Sequence, residues 1–105
     1  MLELTNEKLE SLVEEYGADS EVISDIVNAA NSFEFIPDDE SRAEFVANVL
    51  LTYAANNGSR RNYSNLTRGL GDMIGDAAHD CYSHNISAND EVAISRVRTK
   101  YENIK

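Results

Sequence analysis

The segment Gly69–His84, GLGDMIGDAAHDCYSH, concentrates the chain's reactive residue types. It holds three glycines, three aspartates four residues apart, both histidines and the single cysteine. A dinucleotide-binding turn needs Gly-x-Gly-x-x-Gly between a strand and a helix. Here the third glycine comes one residue late, no strand-like alternation precedes the motif, and Asp72 sets a negative charge where a phosphate would sit. A metal site would draw on Asp72, Asp76 and His79. Residues three and four apart share one side of a helix, so an acid and a histidine at i and i+3 can reach one ion. Such sites also take acids from neighbouring helices, and Glu44 is all the third helix offers. Metal binding is therefore a subsidiary reading, and no cofactor is expected.

A packing role explains more of the segment. Gly71, Gly75, Ala78 and Tyr82 recur at helical spacing on one side, and small residues so placed let another backbone come close. A glycine inside a helix costs about 0.8–1.0 kcal/mol relative to alanine, which tight packing would offset. Gly75→Leu is accordingly expected to unfold the protein by overpacking. Cys81 falls with Leu66, Leu70, Met73, Ile74 and Ala77 on an apolar side and reads as a small buried hydrophobe. No spacing in the chain supplies a nucleophile with its base, so a non-enzymatic protein is expected.

The elements that position these residues are helices. Thr5 caps the first, Leu9, Leu12, Val13 and Tyr16 form its stripe, and Gly17 ends it. Asp19 or Ser20 caps an amphipathic second helix whose apolar side runs from Val22 to Phe33. Pro37 forces Ile36 into an extended geometry and breaks the pattern. Phe33, Phe35 and Ile36 then read as an apolar plug, with Phe35 as an alternative exposed anchor. The third helix, started by Asp38 or Asp39 and stopped at Asn57-Gly58, is apolar nearly all round. Only Glu44, Asn48, Thr52 and Ala55 would meet water, which predicts a largely buried central helix. After a polar loop, Ser64 can cap a fourth helix, and Ser87 with Asp90 approximates a capping box for a fifth. The expectation is an all-α single domain over residues 1–105, a compact bundle of about five helices.

Charge is the strongest compositional signal. The net charge of −10 is lopsided: residues 1–57 sum to −11 and residues 58–105 to +1. A negative half opposes nucleic acid and anionic lipid and favours basic partners. One cysteine, no signal-peptide pattern and no apolar run of membrane-spanning length predict a cytoplasmic protein. Acids repeat at i, i+4, a spacing that costs a helix a few tenths of a kcal/mol per pair. The residues expected to meet a basic protein surface are Glu10, Glu14, Glu21, Asp25, Asp39 and Glu40. Spaced carboxylates can imitate phosphate charge, so a nucleic-acid-handling enzyme is one such partner. In size, charge and helicity alone, the chain resembles small phage inhibitors of host restriction or immunity enzymes. The competing reading uses Arg60, Arg61, Tyr63, Arg68, Arg96, Arg98 and Lys100 as a nucleic-acid surface. A pI near 4.4 disfavours it, and pairing of these bases with the acidic half is the plainer alternative. A homodimer through Phe35 or the exposed edge of the third helix is a further expectation.

Overall fold

Short polar signals open three of the helices, and a glycine closes the first, where the sequence places them. The computed structural model describes residues 1–55 and 70–101. Within these, the Thr5 hydroxyl accepts the Lys8 N–H at 3.2 Å and opens α1 (Asn6–Tyr16). Gly17 closes it at φ 68°, its N–H donating to Val13 O at 2.9 Å. An alanine there would carry its Cβ into the left-handed region without touching a neighbour. Gly17→Ala is therefore expected to cost about 1 kcal/mol, read as a lowered urea midpoint with an unchanged slope.

Asp19 precedes α2 (Ser20–Ser32), and Phe33 leaves it in extended geometry. Asp38 then caps α3 (Asp39–Ala55), accepting the Ser41 N–H at 2.8 Å. That backbone hydrogen bond is the main reason the Asp38 carboxyl sits below its ordinary range. The second part of the chain supplies α4 (Leu70–Tyr82) and α5 (Ala88–Lys100). No strand occurs among the described residues, so the architecture is an all-α bundle. The Ser64 cap, Leu66 and the Asn57-Gly58 stop lie outside the described residues. The Cα radius of gyration of 12.9 Å matches that of a compact chain of about 100 residues.

The core forms where α2, α3 and α4 meet, with Ile94 reaching in from α5. Phe33, Phe35 and Ile36 seal it. Phe35 is 7% exposed and stacks on Phe33 with ring centroids 5.1 Å apart, so it is a plug and not an anchor for a second copy. Phe45 meets Phe33 edge-on at 5.7 Å. Tyr82 leans on Phe35 at 5.3 Å and donates its hydroxyl to Ser41 O at 3.1 Å, and burial raises its phenol pKa.

Three sequence expectations change here. Cys81 is exposed, not buried: the half-buried Tyr82 packs against the core at the end of α4, and the Cys81 Sγ lies 3.9 Å from Asn48 Nδ2 of α3. The watery strip of α3 is wider than its sequence suggests, because Ala43 and Leu51 join it, Leu51 at 56% exposure. The close backbone approach on α4 occurs at Gly71, where a Cβ would stand 2.6 Å from Val97 O and 2.7 Å from Arg98 Cα. At Gly75 the neighbour is the Arg98 guanidinium, a movable group.

Candidate functional site

The acids of the first three helices are overwhelmingly on the surface. Of the thirteen in residues 1–55, twelve are exposed and Asp25 is half-buried. Glu10 and Glu14 lie one turn apart on α1, Glu21 in the first turn of α2, and Glu40 in the first turn of α3. Negative charge at these two helix starts complements the positive end of the dipole. No ion pair engages Glu10, Glu14, Glu21 or Glu40 among the described residues.

Two of the six expected contact residues are used inside the molecule. Asp39 faces the Met1 ammonium at 2.9 Å and Arg42 Nη1 at 2.7 Å. The hydrogen bond from that ammonium does most to hold its carboxyl below the usual range, and Arg42 adds to it. Asp25 receives the Tyr101 hydroxyl and stands 3.3 Å from Lys100 Nζ, tying α2 to the end of α5. Burial, reinforced by the Asp25 carboxylate, raises the Tyr101 phenol pKa, so this hydroxyl remains a donor throughout the ordinary pH range. Both aspartates are engaged within the molecule, although Asp39 stays exposed, and the four glutamates are those of the six with no ion pair among the described residues.

Two bases of the basic alternative are paired within the molecule. Arg98 Nη2 lies 3.2 Å from Asp76 Oδ1, and its Nε lies 3.5 Å from Asp72 Oδ1. The Nε contact is electrostatic: this nitrogen is buried and makes no hydrogen bond. Lys100 is committed to Asp25, while Arg96 is exposed with no ion pair among the described residues. Arg60, Arg61, Tyr63 and Arg68 lie outside the described residues.

The same clamp corrects the metal reading of Asp72, Asp76 and His79. Arg98 occupies the two aspartates, and His79 Nε2 turns to Glu91 Oε1 at 3.7 Å. Among the described residues no three histidine, cysteine or acidic side chains converge as metal ligands.

Sequence reasoning missed one buried charge. Asp90 is 2% exposed, the single buried charged side chain among the described residues. Its Oδ2 accepts the Ser87 hydroxyl at 2.7 Å and the Ser87 N–H at 3.2 Å, which completes the capping box of α5. Its Oδ1 accepts the Glu34 N–H at 2.9 Å, across 56 residues. The Ser87–Asp90 spacing announced the cap, but nothing local could announce the contact to the Phe33–Pro37 turn.

Among the described residues no helix is long and apolar enough to cross a membrane. No family model matches the chain, and no curated protein or solved structure is similar to it.

Proposed function

We propose that this protein is a non-enzymatic interaction module that binds a basic surface of a partner protein through the acids of its first three helices. The observation that carries the reading is where the cations go. Arg98 is spent on Asp72 and Asp76, and among the described cations of the second half only Lys100 reaches an acid of the first. Among the described residues the early acids therefore keep their charge facing solvent, and repulsion between Glu10 and Glu14 is tolerated at a cost of a few tenths of a kcal/mol. A surface with many negative charges accelerates and orients encounter with a positive one. Acids set one helical turn apart also suit a groove built for a phosphate backbone, so a nucleic-acid-handling enzyme is the partner class that fits best. The single cysteine fits a reducing, cytoplasmic setting.

The test is a pull-down with the whole chain and with the combined variant Glu10→Gln, Glu14→Gln, Glu21→Gln and Glu40→Gln. All four positions are exposed, and the helix-start charge lost at Glu21 and Glu40 is partly offset by relief of the Glu10–Glu14 repulsion, so the variant is expected to stay folded. Partners are expected to bind in low salt, to be lost near about 0.5 M salt, and to bind the variant about tenfold more weakly. Recovery that ignores both salt and the four substitutions would reject the proposal.

A further inference from the structure

No residue of α1 is fully buried. Its inner side, with the Leu2–Leu4 stretch, instead roofs a cavity of about 240 Å³ between α1, α2 and α3. The Leu2 stretch is fixed there by a reciprocal pair: Leu2 N–H donates to Asn31 Oδ1 at 2.9 Å, and Asn31 Nδ2 donates to Leu2 O at 3.1 Å. Leu4, Leu12, Val46 and Leu50 make the lining apolar, and the small side chains of Ala43 and Ala47 leave the space open on the α3 side. An engineered apolar cavity of about 150 Å³ takes up benzene, and a group the size of water occupies about 30 Å³, so this space suits roughly eight chain atoms.

The polar lining is sparse. Lys8, Ser11 and Glu3 supply it. Lys8 has Leu4, Thr5, Ser11 and Leu12 at i±3 and i±4, so α1 offers it no acid at helical spacing. Its ammonium makes no ion pair among the described residues, although twelve exposed acids surround it in sequence. Lys8 is the one cation among these lining residues and so the group that attracts an anion.

We propose that this cavity binds a medium-chain aliphatic carboxylate, its tail between α1 and α3 and its carboxylate at the Lys8 ammonium. Few polar groups around an apolar space are the ordinary make-up of a small-molecule site. The inference is independent of the acidic-surface proposal, since it uses the inner side of α1 and the glutamates use the outer.

Methyl NMR of the whole chain tests it with sodium octanoate, sodium hexanoate and octanol as probes. Octanoate is expected to shift the methyls of Leu4, Leu12, Val46 and Leu50 and to leave Ile94 unmoved. Each added CH₂ is expected to tighten binding about fourfold, so octanoate should bind about fifteen times more tightly than hexanoate. Lys8→Gln is expected to weaken octanoate about fivefold and leave octanol unchanged, and Ala47→Leu to abolish the octanoate shifts by filling the space. Cavity methyls that ignore millimolar octanoate in the parent protein would overturn the site. Octanol binding as tightly as octanoate in the parent would overturn the carboxylate assignment.

Discussion

Asp90→Ala is expected to destabilise the protein by about 3 kcal/mol, because three hydrogen bonds to one buried carboxylate are lost together. The two carboxylate oxygens have different partners. Oδ2 accepts from the Ser87 hydroxyl and N–H, the returning half of the capping box and a contribution of about 1 kcal/mol, while the Ser87 hydroxyl still accepts the backbone N–H of residue 90 in the variant. Oδ1 accepts the Glu34 N–H, a charge-assisted bond in partly buried surroundings that contributes about 1.5–3 kcal/mol. For a chain of this size the sum lowers the melting temperature by roughly 15 °C. Asp90→Asn keeps one acceptor oxygen but sets an NH₂ group against Ser87 donors, and is expected to cost about half as much.

The same residue gives stability a pH dependence of known sign. Burial raises the Asp90 carboxyl, but hydrogen bonds from the Ser87 side chain, then from the backbones of Ser87, Glu34 and Phe35, outweigh it and leave the pKa below its ordinary value. A carboxyl lowered in the folded state stabilises at pH above its unfolded pKa of about 3.9. That contribution disappears as pH falls through the lower folded value. Urea melts between neutral pH and pH 2 should therefore show the parent losing more stability than Asp90→Asn. Parallel curves for the two would mean that Asp90 is not held as a buried carboxylate.

What could be read from the residues divides by range. The Thr5 cap, the Gly17 stop, the break at Pro37 and the Ser87–Asp90 box depend on neighbours within four positions, and all appear as expected. Contacts between helices did not announce themselves. Asp25 looks like a solvent acid until Tyr101, 76 residues later, donates to it. Asp72 and Asp76 look like a ligand ladder until Arg98 lies across them. Cys81 falls in the apolar pattern of α4, yet it faces outward, and Tyr82 is the residue there that packs against the core, reaching both Phe35 and Phe45. Ala43 and Ala47 count as apolar in any helical pattern, yet an alanine buries too little to force its side of a helix inward. Of the candidate acids, the sequence identifies which are present, and only the fold separates the accessible glutamates from the two engaged aspartates.

Gly71 is where that distinction has its largest consequence for stability. Replacing it with alanine is expected to cost about 2–3 kcal/mol, even though alanine is the better helix former by about 1 kcal/mol. The new methyl would meet Val97 O at 2.6 Å, Arg98 Cα at 2.7 Å and Val97 C at 3.1 Å, all backbone. α5 cannot retreat easily, because Ile94 is buried in the core and Asp90 anchors its first turn. Gly71→Leu should show no cooperative melt. Gly75→Ala meets Arg98 Nε at 2.5 Å and Nη2 at 2.8 Å, the far end of a flexible side chain. Its guanidinium can swing away from Asp72 and Asp76, partly exposed pairs worth about 0.2–1 kcal/mol, so the helix-propensity gain roughly cancels the loss. In an Arg98→Ala background that obstacle is gone, and Gly75→Ala should stabilise by about 1 kcal/mol while Gly71→Ala remains as harmful as before. Thermal melts of the four variants decide it: Gly75→Ala proving more damaging than Gly71→Ala would mean that α4 and α5 approach each other at the wrong turn.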